Sequence, residues 1–290
     1  MKLALFNDHR LGVVRDDTIV DVTSALPAWD NGYMANFWLR LCHDFDTLRP
    51  RLEEAAQKGQ GVPVGQVRLN APVLNPSKIL AAASNYGAHK AEMAARRDFT
   101  GHAAWLGEFD VFLKAPSSII GPDDTVYLPE VGDREIHHES ELAFVIGKTA
   151  KDVPAERALD YVLGYTILLD ITVRGDGDRS RRKSYDGFTP IGPYLVTADE
   201  IGDPHNLHIQ LWVNGQTKQD VNTADMLVKI PEMISYASKV FTLNPGDVFT
   251  TGSPPGVGQI HAGDTMVTDI EKIGRMTNYV QARQPAAAGR

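Results

Sequence analysis

Cysteine is almost missing from this chain: Cys42 is the only one in 290 residues. One thiol cannot close an intrachain disulfide or build a thiolate cage for zinc, so the chain fits a reducing compartment, and we expect a cytoplasmic protein. Such a cysteine is ordinarily a small buried hydrophobe. Positive charge is also scarce. Lysine and arginine number 29 against 37 acidic residues, a net charge of -8, and that balance repels phosphate backbones and anionic lipid. The balance argues against general binding to nucleic acid or membrane, and a small anionic substrate needs local basic residues. No apolar run approaches the ~20 residues of a membrane span, and the run opening at Lys2 is too short for the core of a secretory signal. The glycine-rich run Gly252-Ser253-Pro254-Pro255-Gly256-Val257-Gly258 lacks both the Lys-Ser/Thr of a phosphate-binding loop and dinucleotide spacing. It is free to be a tight turn or to present N–H groups to an anion. No internal repeat is found.

What is present is ordinary globular composition, 43% hydrophobic and 23% charged, enough for one large or two unequal domains. Three short apolar segments at residues 2–6, 11–14 and 18–22 read as a small antiparallel meander. Residues 36–56 turn helical, with Phe37, Leu41, Phe45, Leu48 and Leu52 at spacings of three and four. We place a boundary near residue 72, giving a small N-terminal α/β domain at 1–72, a larger domain at 73–283 and a frayed tail at 284–290. In the larger part, residues 79–83, 112–114, 126–128, 165–169, 207–213, 248–251, 266–270 and 276–280 read as strands. Asn214-Gly215 is the strongest hairpin signal. A short helix is expected at 153–162, opened by Pro154 and stopped before Gly164. A second starts at Pro231, with Met233, Ile234, Ala237, Val240 and Phe241 on one core-facing side. The fold class is α+β, mostly β.

The chemistry centres on residues 135–147, Glu-Ile-His-His-Glu-Ser-Glu-Leu-Ala-Phe-Val-Ile-Gly. The stretch opens polar and closes as a strand entering a core. Alternation puts Glu139 and Glu141 on one face with Cα atoms about 6.8 Å apart. At an effective dielectric near 20 their charges repel by roughly 2 kcal/mol, which a nearby cation would reverse. The plainer alternative is two solvated glutamates on an open edge. The apolar run at 165–169 ends abruptly on Asp170, so three carboxylates converge if the two strands are neighbours. His89 and Glu92, an i,i+3 pair beyond the turn at Ser84-Asn85-Tyr86-Gly87, can touch, and Glu92 can orient the imidazole; the plainer alternative is two polar side chains facing solvent. Residues 98–110 lack periodicity and read as a loop, so 86–110 is expected to cover the site. The charged stretch 174–186 reads mostly as a solvated loop.

Together these pieces resemble the fumarylacetoacetate hydrolase superfamily. The matching motifs are Asn85-Tyr86-x-x-His89-x-x-Glu92, Phe112-x-Lys114-x-Pro116-Ser117-Ser118, Glu139-x-Glu141-Leu142-Ala143-x-Val145-Ile146-Gly147, Gly164-Tyr165 through Asp170, Lys183-Ser184-x-Asp186 with Gly192-Pro193, and Thr251-Gly252-Ser253-Pro254-x-Gly256-Val257-Gly258. They run in family order over residues 78–280. The resemblance implies a mixed β-roll catalytic domain with a small N-terminal domain, a homodimer, and a divalent metal on Glu139, Glu141 and Asp170. Three oxygen donors favour a hard ion, Mg²⁺ first, with Mn²⁺ or Ca²⁺ possible; a zinc or iron site would have to recruit His137 from the same strand face.

The resemblance further implies a 2-oxo acid substrate, cut at a carbon–carbon bond as in acylpyruvate hydrolysis, in aromatic or sugar-acid breakdown. His89 oriented by Glu92 is then the base that activates water, and Lys183 offers positive charge to the oxyanion or substrate carboxylate. Tyr86, Arg174, Gly252 and Ser253 are the substrate contacts. The same chemistry serves a decarboxylase, isomerase or hydratase, and a metal-stabilised binding protein without turnover is a reading of another class. Two departures stand out. Ile171-Thr172-Val173-Arg174-Gly175 loses the acidic neighbour that usually follows the arginine, and Ala83-Ser84 replaces a usual Gly-hydrophobe pair. Both leave the metal residues intact and leave the acyl group open.

Overall fold

The apolar run at residues 142–146 lies inside a sheet with both faces covered. Leu142, Phe144 and Ile146 enter one hydrophobic core, and Ala143 and Val145 enter another, which is why the run is continuous instead of alternating. The structure, a computed structural model, describes residues 1–27, 37–83, 85–87 and 110–283. Among them the largest sheet runs in the order Val62–Pro63, Thr18–Asp21, Arg10–Arg15, Lys2–Phe6, Thr189–Thr197, Val162–Leu169, Ser140–Ile146, Val248–Thr250, Ile79–Ala83 and Asp110–Lys114. The expected N-terminal meander is present, and Lys2–Phe6 pairs antiparallel with Thr189–Thr197, Leu3 opposite Leu195. One sheet therefore runs across the boundary suggested near residue 72. The helical stretch is two helices, Phe37–His43 and Phe45–Lys58. They bury Trp38, Leu41, Cys42, Phe45, Leu48 and Leu52 in the core that also receives Ala143 and Val145.

A five-stranded sheet covers the other face, in the order Gln216–Asn222, His208–Val213, Thr265–Ile270, Gly274–Ala282 and Thr125–Leu128. Its first hairpin turns at Asn214 and Gly215, both with positive φ, the backbone that matches strand twist. The helix Ile230–Val240 buries Met233, Ile234 and Ala237 as expected, but Val240, its last residue, is 60% exposed, because the helix ends beyond the core it packs on. The segment opened by Pro154 is a 3-10 helix, Ala155–Tyr161. Gly164 is not its stop; it sits inside the strand Val162–Leu169, where a Cβ would lie 2.4 Å from the carbonyl oxygen of Val196. The glycine is there to let two strands approach. The result is the α+β, mostly β architecture read from the sequence, and among the described residues no helix is long and apolar enough to cross a membrane.

Candidate metal and substrate site

The strands Ser140–Ile146 and Val162–Leu169 are antiparallel neighbours, with Ser140 opposite Leu169. That register sets Glu139 across from Asp170, whose N–H donates to the Glu139 carbonyl at 2.8 Å. Side-chain oxygens of Glu139, Glu141 and Asp170 all lie within 4.8 Å of one another, and all three residues are buried. Two solvated glutamates on an open edge are thereby ruled out. Burial, then the negative charge of Asp170 and of Glu139, pushes the Glu141 carboxyl well above its ordinary value. Lys183 and the Gly252 N–H, 2.9 Å from Glu141 Oε2, pull the other way.

Cations fill the space around the triad. Lys183 Nζ reaches Glu139 Oε2 at 2.7 Å, Asp170 Oδ2 at 2.5 Å and Thr172 Oγ1 at 2.6 Å, three acceptors for the three donors of an ammonium. Thr172 Oγ1 donates its own proton to the Asp170 carbonyl at 2.9 Å, so its lone pairs are turned to the lysine. The ring of Phe112 lies 5.2 Å from the Lys183 ammonium. Lys114 was visible only as part of a motif. It is fully buried, and Nζ donates to Asp170 Oδ1 at 2.6 Å, the Lys183 carbonyl at 2.5 Å and the Phe188 carbonyl at 3.1 Å. Burial lowers its pKa and the adjacent Asp170 opposes that. Arg174 Nη2 stands 2.6 Å from Glu139 Oε1 as an ion pair without hydrogen-bond angles, and its buried Nε has no hydrogen-bond partner among the described residues.

The far wall is the turn after Val248–Thr250. Gly252 has φ +90, and a Cβ there would lie 2.9 Å from Cβ of Asn85. Asn85 holds this wall in place: its Nδ2 donates to the carbonyls of Thr251 and Val228, each at 2.9 Å. Ser253 is buried, with Oγ donating to the Pro254 carbonyl at 3.0 Å. Tyr86 is also buried; burial first, and then Glu141, raises its hydroxyl pKa. His89 and Glu92 lie outside the described residues, as does most of the stretch 86–110. His137 does not belong to the cluster: its Nε2 is 2.7 Å from Glu135 Oε2. Thr172 and Lys114 are the residues that sequence reasoning left without a role.

A family model described as fumarylacetoacetate (FAA) hydrolase C-terminal matches residues 78–281. The chain belongs to the fumarylacetoacetate hydrolase family. Within that family it is 44% identical to the maleylpyruvate hydrolase of Aquipseudomonas alcaligenes over 97% of this chain and 100% of that protein. The crystal structure of maleylpyruvate hydrolase from Sphingobium sp. SYK-6, in complex with manganese(II) and pyruvate, superposes with a TM-score of 0.86 at 43% identity, covering 98% of this chain and 100% of that one. The 5-carboxymethyl-2-hydroxymuconate delta-isomerase of Mycobacterium smegmatis matches with a TM-score of 0.73 at 33% identity, with the same coverage. The acidic triad of this family member fits a divalent metal: three buried oxygen donors, no thiolate, and a carboxyl at Glu141 whose charge needs a counter-ion.

Proposed function

We propose that the protein is a divalent-metal-dependent hydrolase that cuts the carbon–carbon bond of an acylpyruvate, a 2,4-dioxo acid, in aromatic or sugar-acid breakdown. The observation that carries this is the buried triad with Lys183 bonded into it, in a chain 44% identical to a maleylpyruvate hydrolase. Mg²⁺, or Mn²⁺ or Ca²⁺ in its place, held by Glu139, Glu141 and Asp170, would supply a Lewis acid for the adjacent oxygens of a 2-oxo acid. The protein's own residues do the rest. Arg174, with a buried Nε free of hydrogen bonds among the described residues, receives the substrate carboxylate. Tyr86 and the Gly252-Ser253 turn line the substrate on the other side.

His89, oriented by Glu92, takes the proton from water as its oxygen bonds to the acyl carbon. The bond between that carbon and the pyruvate methylene then breaks, leaving the acyl group as its carboxylic acid; the electron pair passes into the pyruvate enolate, and the proton held by His89 is delivered to the methylene carbon to complete pyruvate. Lys183 Nζ, in contact with two triad carboxylates, places positive charge where the oxyanion develops. We further propose a cytoplasmic homodimer, which size-exclusion chromatography with light scattering tests directly.

A panel of 2,4-dioxo acids incubated with Mg²⁺ tests the reaction. Loss of the ultraviolet enol band with one pyruvate released per substrate is the expected result. Loss or shift of that band with no pyruvate would point to an isomerase, the activity named for the 33% identical neighbour. Tight metal binding with no dioxo acid consumed would leave a binding protein and sink the hydrolase reading.

A further inference from the structure

The strand Gln216–Asn222 sends one polar side chain into the molecule. Gln219 is 1% exposed, while its neighbours Lys218 and Asp220 face solvent. Its carboxamide oxygen accepts from the N–H of Ser140 at 2.9 Å, the residue between Glu139 and Glu141. Its nitrogen donates to the Pro254 carbonyl at 3.0 Å, with Ser253 Oγ and the Pro255 carbonyl each at 3.4 Å. The network fixes which end is which, since the reverse orientation would set an NH₂ against an N–H and an oxygen against carbonyls. The loop also presses on this strand: a Cβ at Gly256 would lie 2.0 Å from the Lys218 carbonyl oxygen.

Two consecutive prolines leave this turn dependent on side-chain donors. Pro254 and Pro255 bring carbonyls but no N–H, so the buried turn cannot supply donors for them from its own backbone at those positions. Side chains supply them instead: Ser253 Oγ donates to the Pro254 carbonyl, Gln219 donates a second time from the facing strand, and the other end of Gln219 holds the peptide between the two glutamates. We infer that Gln219 is a positioning residue that sets the Gly252-Ser253 turn against the strand bearing Glu139 and Glu141, and so fixes the substrate wall relative to the metal. The inference rests on the reading of the triad as a metal site and of the turn as a substrate contact. Displacements on the order of 1 Å in such geometry cost about 10² in rate.

Two variants test the bridge. Gln219→Met, close in size, removes donor and acceptor; Gln219→Asn keeps both but is one methylene short of reaching Ser140 and Pro254 together. Binding of Mn²⁺, followed by loss of the free-ion paramagnetic resonance signal, reads the glutamate side without any turnover, and KM for the acylpyruvate reads the turn. Both variants are expected to lower kcat/KM by about tenfold or more, most of it in KM. Mn²⁺ affinity should fall about threefold or more in Gln219→Met and by less in Gln219→Asn. Wild-type KM and Mn²⁺ affinity in both folded variants would overturn the inference, and so would failure of both to fold, which would make Gln219 only a structural anchor. If the wild-type protein turns over no dioxo acid, the proposed function fails, and the Mn²⁺ comparison still decides the role of Gln219.

Discussion

Lys183 stands in a run of cations, Arg179, Arg181 and Arg182, and its neighbours in space set it apart. Its ammonium meets two triad carboxylates and Thr172 while 6% of the residue is exposed, whereas Arg181 points to solvent. If the lysine stabilises a developing oxyanion locally, Lys183→Met should lower kcat by about 10² to 10³, the scale of losing one such donor. Arg181→Ala should change it less than about twofold. Equal losses in steady-state kinetics would mean that only the general field of the loop matters. A second residue, His138, is fully buried, and burial followed by the neighbouring His137 pushes its pKa down to about 4 from an ordinary 6.5. The folded imidazole is thus harder to protonate than the unfolded one. Its stabilising contribution is present above pH 6.5 and is lost as pH falls through about 4, a change on the order of 3 kcal/mol. Chemical denaturation of wild type and His138→Gln across that window should show the difference between them shrinking as pH falls, and parallel curves would refute it.

At the scale of elements, the strands that carry the site were legible because each apolar run ends or begins abruptly on carboxylates, and a half-polar, half-buried strand end has few other uses. Their adjacency was conditional in the sequence and is settled by the pairing of Ser140 with Leu169. Lys114 and Gln219 were not legible as site residues. Each acts across a long gap, 56 residues from Lys114 to Asp170 and 79 from Gln219 to Ser140, and Gln219 sits in a strand so polar that no periodicity marks its inward face. Gly164 was misread for a related reason: a glycine after a short helix is usually a stop, and only the neighbouring strand shows that it is a point of close approach. A methyl there would meet the backbone of Val196 at 2.4 Å and of Thr197 at 3.0 Å, neither of which can swing aside. Gly164→Ala should therefore cost about 1 to 3 kcal/mol, the range for overpacking a tight interior. A lowered urea midpoint checks this, and an unchanged midpoint would show that the two strands part freely.

For the whole molecule, the acidic cluster makes stability depend on metal and pH together. Glu141 has a folded pKa raised well above its ordinary 4.5, chiefly by burial and then by Asp170 and Glu139. A carboxyl raised in this way stabilises the metal-free protein fully below pH 4.5, and that contribution is lost as pH climbs through the folded value, because ionising Glu141 adds an unpaired buried charge. The metal-bound protein has the opposite need, since the ligand must be a carboxylate and protons compete with the ion. The stabilisation conferred by metal should accordingly be small near pH 5, grow with rising pH, and level off above the folded pKa of Glu141. At a thousandfold excess over Kd, linkage alone is worth about 4 kcal/mol. Thermal unfolding at pH 5, 6, 7 and 8, with either MnCl₂ or a chelator, should show a gap in Tm that widens with pH. Glu141→Gln, which cannot ionise, should show a small gap that is flat in pH while the chelated variant melts no lower than the chelated wild type at pH 8. A wild-type gap that is constant from pH 5 to 8 would mean that the metal does not bind through Glu141, and the triad would lose that member.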